Sequence, residues 1–236
     1  MDSLRGTTIL ITGVGREGQV GDALARAFAD AGARLALVDR TADEVEARAA
    51  ALRATGADAH AAACDLTDPA AVDAAFTRLR EAAGDAHALV CAAGGFGATG
   101  AIDASDPAAW QRQLAINLTT AYLATRGALP MLRRTRGAIV YFASAAVLPG
   151  ATGAGMAAYV AAKSGVLALM RAVAAEERAH GVRANAVAPT SIRTAANLAD
   201  MGEQESYVTR EEVASVVRWL CAPEAARISG EVVKLG

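Results

Sequence analysis

The stretch Thr7-Thr8-Ile9-Leu10-Ile11-Thr12-Gly13-Val14-Gly15-Arg16-Glu17-Gly18-Gln19-Val20-Gly21 decides how the rest of the chain is read. It opens on a short β-branched apolar run, which is a strand signal. It passes through a glycine loop into residues 23–31, where Leu24, Ala27, Phe28 and Ala31 fall at helical spacing before Gly32. Gly13, Gly15 and Gly18 match GxGxxG. Between a strand and a helix, such glycines let the backbone approach a pyrophosphate, whose charge the helix N-terminus favours. Val20 and Gly21 complete this candidate cofactor-binding loop.

The same alternation continues outward. Residues 34–38 form a second strand closed by Asp39, and Thr41-Ala42-Asp43-Glu44 has capping-box spacing for the next helix. Residues 59–64 form a third strand, followed by Asp65 and Leu66, and Asp68-Pro69 opens a helix to about residue 83. A fourth strand, 88–92, ends in Ala93-Gly94-Gly95, and Asp106-Pro107 opens a helix to about residue 129. Then come a fifth strand at 138–142, a long helix over about 156–180 and a sixth strand at 182–187. Thr209-Arg210-Glu211-Glu212 is a second capping box, and 231–235 is a last strand. This order predicts an α/β fold: a doubly wound parallel sheet of about seven strands, flanked by helices on both faces. Ligands then bind at the carboxyl ends of the strands, where Asp39, Asp65, Gly94, Ser144 and Pro189 all fall. With no repeat or linker, residues 1–236 read as one domain.

Composition narrows the function. At 236 residues, 53% hydrophobic and 20% charged, the chain is not disordered. A net charge of −2 gives no argument for nucleic acid or an anionic membrane, and 4% aromatics leave little for base stacking. No uninterrupted apolar run of about 18 residues predicts a membrane span, and the start has no cleavable signal shape, so a cytoplasmic location is expected. Cys64, Cys91 and Cys221 form no close pair, which predicts buried reduced thiols, with no metal clip or disulfide framework.

Asp39 is placed to accept hydrogen bonds from adenosine ribose hydroxyls and to repel a 2′-phosphate, which favours NAD over NADP. Arg16 and Arg40 pull the other way, since a guanidinium pairs with phosphate. Tyr159 and Lys163 stand four apart and so share a helix face. A nearby ammonium favours the phenolate, so such a pair can trade a proton with an alcohol or carbonyl oxygen.

In company with the glycine loop, these residues make the chain resemble the short-chain dehydrogenase/reductase family of Ser-Tyr-Lys type over nearly its whole length. Residues 138–144 match the family strand that ends in the catalytic serine, here Ser144. Tyr159 and Lys163 match the YxxxK pair, and Asn117 matches the helical asparagine. Asp65, with Leu66 beside it, matches the adenine-side aspartate, and Cys91-Ala92-Ala93-Gly94 the NNAG segment. Residues 182–189 resemble the strand that ends at Pro189 in the PG motif, with Ile192 and Thr194 beside the nicotinamide carboxamide.

The resemblance implies a single-domain Rossmann fold and an oxidoreductase that moves hydride between NAD(P) and a small secondary alcohol or ketone. In that scheme Tyr159 is the general acid/base. Lys163 lowers its pKa and holds the nicotinamide ribose, Ser144 stabilises the substrate oxygen, and Asn117 helps hold a relay water. It also implies a homodimer or homotetramer. Residues at about 190–208 become a substrate lid, with Leu198, Met201 and Tyr207 as candidate apolar contacts. An NADPH-dependent ketoreductase and a non-catalytic dinucleotide-binding or redox-sensing protein are the alternatives.

The chain departs from the family pattern in four places. If Gly21 is the last family glycine, the glycine loop is two residues longer than usual. Cys91 and Ala92 replace the NNAG asparagines, and Thr190 replaces the PG glycine. Ser144 and Tyr159 are fifteen apart, with the extra length in the glycine-rich stretch 150–155.

Overall fold

A computed structural model describes residues 3–236. Its strands are β1 (Thr8–Thr12), β2 (Arg34–Asp39), β3 (Ala59–Ala63), β4 (Ala88–Cys91), β5 (Ala138–Phe142), β6 (Arg183–Pro189), β7 (Ile192–Arg193), β8 (Val208–Thr209) and β9 (Val232–Leu235). Seven of them form one sheet in the order β3-β2-β1-β4-β5-β6-β9, and every pairing is parallel. The expected doubly wound sheet is therefore the observed one.

β1 lies inside this sheet between β2 and β4, buried along its whole length. A strand covered on both faces carries apolar residues at every position, which is why its sequence runs unbroken. Ile9 and Ile11 enter one core and Leu10 the other. The first core is completed by helices α1 (Val20–Asp30), α2 (Ala42–Ala54) and α8 (Arg210–Cys221), through residues such as Phe28, Leu52 and Val217. The second is completed by α3 (Pro69–Ala83), α5 (Thr120–Thr135) and α6 (Ala157–Glu176), through Phe76, Leu132 and Met170.

Local capping chemistry sets most helix starts. The Asp68 carboxylate accepts from the Ala70 N–H at 2.9 Å, ahead of Pro69. Asp106 likewise accepts from the Ala108 and Ala109 N–H groups and opens α4 (Pro107–Leu114). At Thr209 the full capping box forms. The box expected at Thr41 does not form, because Thr41 makes no side-chain cap. Glu44, its intended partner, packs beside Gly15 at the carboxyl end of the sheet.

Three boundaries differ from expectation. The helix expected to end near residue 129 continues through Pro130 to Thr135, because Met131 and Leu132 are buried in the core and repay the backbone bond that proline removes. It is also interrupted by a π turn at Ala115–Thr119. The lid region is not a plain loop: β7 and β8 pair in parallel, with helix α7 (Ala195–Met201) between them. α7 buries none of its residues, so it has no apolar stripe for the sequence to display. The stretch Ala157–His180 is long and apolar enough to cross a membrane by composition. In the fold it packs against β6 and α4 and carries Tyr159 and Lys163.

Candidate active site

The glycine loop follows from close packing at the carboxyl end of β1. Gly13 has φ 78°, and a Cβ there would stand 2.7 Å from the Ala93 backbone. A Cβ on Gly21 would lie 2.0 Å from the Gly13 carbonyl oxygen. Glycine at both positions lets α1 seat directly on β1 and lets the end of β4 come alongside. The loop is tied down by three N–H donations: Gly13 to the Val38 carbonyl at 2.8 Å, Gly15 to Asp39 Oδ2 at 2.8 Å and Gly18 to Asp22 Oδ2 at 3.2 Å.

Beside it lies a cleft of about 510 Å³. Of the residues expected to bind cofactor, the cleft brings together Gly13, Val20, Gly21, Asp39, Arg40, Asp65, Leu66, Ala92, Ala93 and Gly94. Asp39 Oδ1 accepts from the Arg40 N–H at 2.7 Å, so each of its oxygens takes one backbone donor while the carboxylate lines the cleft. Asp65 Oδ1 accepts from the Thr67 hydroxyl and N–H, and these bonds hold its carboxyl below the usual carboxylate range. Gln19, Thr41, Glu44, Thr67, Ile116 and Thr120 also line the cleft and were not among the residues expected to bind cofactor. Thr41, Glu44 and Thr67 follow β2 and β3, so the strand-end rule alone pointed to them. A dinucleotide fits this donor set: a backbone cradle at a helix N-terminus, with a carboxylate one strand away.

Gly15, Gly18, Ser144, Tyr159, Lys163, Pro189, Ile192 and Thr194 do not line that cleft. Ser144, Tyr159 and Lys163 gather instead at the carboxyl end of β5. The Ser144 hydroxyl accepts from the Ala146 N–H at 3.2 Å and lies near enough to Tyr159 to favour its phenolate. Lys163 Nζ is buried, donates to the Phe142 carbonyl at 2.7 Å and stands 5.8 Å from the Tyr159 ring centre. Burial pushes the Tyr159 phenol up, against the opposing effect of Ser144. Burial also brings Lys163 down to about 8. Burial, and not the lysine, thus sets the direction of the tyrosine shift, opposed only by Ser144.

Asn117 sits in the π turn and is almost fully buried. Its Oδ1 accepts from the Gly95 N–H at 3.1 Å, while Nδ2 donates to the Gly95 carbonyl at 3.0 Å and to Gln113. The carboxamide therefore clamps the loop after β4. Where the family has asparagine, Cys91 is buried against Thr125, whose hydroxyl pairs with Tyr141 Oη at 2.8 Å. This pair ties α5 to β5 in place of the missing amide. Burial pushes the Cys91 thiol up to about 12, which makes it inert.

Phe96 was not foreseen. Its ring stands edge-on to Tyr159, with centroids 5.2 Å apart, and the residue is 65% exposed. The Asn117 clamp on Gly95 holds one side of it. On the other, the Thr99 and Gly100 N–H groups both donate to the Gly155 carbonyl. No signal in the glycine- and alanine-rich loop 92–101 pointed to it.

Of the lid residues, Pro189 ends β6, and buried Thr194 caps α7 by accepting from the Asn197 N–H at 3.1 Å. Ile192 lies in β7. Tyr207 Oη donates to the Asn197 and Gly202 carbonyls, so it closes the lid on itself. Leu198 is half-buried and Met201 exposed.

The family model described as short chain dehydrogenase matches residues 7–205. The chain is 41% identical over 184 residues to the inactive 2-(S)-hydroxypropyl-CoM dehydrogenase 2 of Xanthobacter autotrophicus, covering 77% of this chain and 75% of that protein. It is 36% identical over 250 residues to 2-(S)-hydroxypropyl-CoM dehydrogenase 3 of the same organism, covering 96% and 94%. A solved short chain dehydrogenase from Mycobacterium smegmatis has a TM-score of 0.87 at 31% identity, covering 100% of this chain and 94% of the other. Similarity of that length, to relatives named for the oxidation of an alcohol, makes the chain a member of the short-chain dehydrogenase family of oxidoreductases.

Proposed function

We propose that the protein transfers hydride between a nicotinamide cofactor, NAD(H) in preference to NADP(H), and a small uncharged secondary alcohol or its ketone. The observation that carries the reading is the gathering of Ser144, Tyr159 and buried Lys163, one strand from the cleft. One of the relatives is named as inactive. The intact serine, tyrosine and lysine argue for catalysis in this chain.

The glycine loop around Gly13 and Gly21 would hold the diphosphate, and Asp39 the adenosine ribose. Asp65, Leu66 and Ala92–Gly94 would flank the adenine side, with Pro189, Ile192 and Thr194 at the carboxamide. When bound, the nicotinamide supplies or accepts the hydride. Tyr159, whose phenol burial raises from an ordinary value already above neutrality, gives its proton to a carbonyl oxygen in reduction. In oxidation it takes the alcohol proton. Ser144 donates to the same oxygen and stabilises its developing charge. Lys163, held by the Phe142 carbonyl, supports the phenolate while it remains an ammonium.

The substrate class follows from the walls. Residues 92–102 and 143–158, which flank Tyr159, contain no charged side chain. The exposed Phe96 ring adds an apolar surface. We also assign pairing between copies to α5 and α6, where Tyr122, Ala168 and Ala172 are exposed.

Arg16 and Arg40 line the cleft with Asp39 and favour the NADP(H) reading, so the deciding experiment is a fluorescence titration with NADH and NADPH. Tighter NADH binding is expected. Tighter NADPH binding would shift the assignment to the two arginines. Tyr159→Phe should keep NADH binding and lower turnover by roughly 10²–10⁴-fold. Binding of neither cofactor, or unchanged turnover in the variant, would overturn the proposal.

A further inference from the structure

We infer that the glycine loop carries the substrate lid through Gly18, and that Asp22 and Arg48 are positioning residues for this contact. The inference rests on the reading above for its functional meaning, and on packing alone for its existence.

Gly18 is bonded on both sides. Its N–H donates to Asp22 Oδ2 at 3.2 Å. Its carbonyl accepts from the Ala195 N–H, also at 3.2 Å. Ala195 is the first residue of α7, and the first N–H groups of a helix have no acceptor inside it. Gly18 supplies one. The contact is close as well as polar: a Cβ on Gly18 would lie 3.3 Å from the Ala195 methyl, and φ is +72°. Glycine is the residue that takes this conformation without strain.

The anchor under Gly18 is built for rigidity. Asp22 is buried, and its other oxygen accepts from Arg26 Nε at 2.9 Å and forms an ion pair with Arg48 Nη1 at 3.0 Å. The Arg48 side chain is itself only 7% exposed, and its Nε has no hydrogen-bond partner. Burying a guanidinium with one donor unmet is costly, and an apolar residue would pack the same place more cheaply. What the pair provides is a fixed carboxylate beneath the Gly18 N–H.

The lid is cross-braced within itself. Arg193 and Glu203 pair through two bonds of 2.8 and 2.9 Å, and Tyr207 closes on the Asn197 and Gly202 carbonyls. A hold on Ala195 is therefore a hold on all of α7. Ordering of the glycine loop by a cofactor diphosphate would be felt at the lid before any alcohol arrives.

The test is Ala195→Pro. Proline is favoured at the first position of a helix, and Thr194 before it, at φ −106° and ψ 160°, already has the backbone that a residue preceding proline adopts. The substitution removes the N–H given to Gly18 and leaves the helix start intact. Hydrogen exchange of the α7 amides should speed up at least tenfold without cofactor. NADH affinity should stay within twofold, and KM for 1-phenylethanol should rise severalfold at nearly constant kcat. Asp22→Asn should also speed α7 exchange, and the double variant should be no faster than Ala195→Pro alone, since both break one strap. Unchanged α7 exchange in Ala195→Pro, or additive effects in the double variant, would overturn the inference. Failure of the wild-type protein to bind NADH would instead strike the proposed function, and the exchange data would still decide the strap.

Discussion

Gly21→Ala tests whether the centre of the fold and the cofactor loop are one piece of packing. The new methyl would stand 2.0 Å from the Gly13 oxygen and 2.8 Å from the Gly13 carbon and the Val14 Cα. Non-bonded heavy atoms settle near ~3.5 Å, so the gap to be opened exceeds about 1 Å. All three obstacles are main chain, and no side-chain rotation relieves them. α1 must lift from β1, and Leu24 and Phe28, both fully buried, leave their seats. Overpacking costs about 1–3 kcal/mol when only side chains adjust, so a displaced helix places this variant at about 3 kcal/mol or more. With a urea slope of about 3 kcal/mol/M, the unfolding midpoint should fall by about 1 M. NADH affinity should fall at least tenfold, because the same shift opens the loop. Gly56→Ala is the control: its φ is +89°, and nothing lies within 4 Å of the added methyl. It carries only the left-handed backbone cost of about 1 kcal/mol and should leave NADH binding untouched. Equal midpoints for the two variants, with NADH still bound, would refute the packing argument.

Two further outcomes follow from the site. Burial raises the Tyr159 pKa above its ordinary value, so its proton is held through neutral pH. Reduction uses that proton and oxidation needs it gone, so kcat/KM for alcohol oxidation should climb as pH rises above neutrality while ketone reduction does not; pH-independent oxidation would contradict the assignment. Phe96→Ala should lower kcat/KM for 1-phenylethanol by up to about tenfold, the worth of one aromatic contact, and change that for 2-propanol less than twofold. An equal loss for both alcohols would mean that Phe96 acts on the Tyr159 ring and not on the substrate.

What the sequence made legible was local chemistry. β1 and β5 were readable because strands buried on both faces leave unbroken apolar runs. Asp68, Asp106 and Thr209 were readable as caps because donor and acceptor lie within three residues of each other. Thr41 has the same pattern but no cap, since Glu44 lies beside Gly15 instead of reaching back. Ser144, Tyr159, Lys163 and Asn117 were recognisable from the order of their motifs, whereas the direction of the tyrosine shift was not. That direction depends on burial by elements far apart in sequence. The substrate side was least legible of all. Phe96 meets Tyr159, and Ala195 meets Gly18, from segments that themselves carry neither period nor motif. A reaction class is set by groups that must be present at fixed spacing, and such groups leave a pattern. A substrate is chosen by which loops happen to face each other at the strand ends, and glycine- and alanine-rich loops leave none. On the proposed function, substrate choice would rest on Phe96 and on the strap from Ala195 to Gly18, two contacts in which a residue without a motif meets a residue that has one.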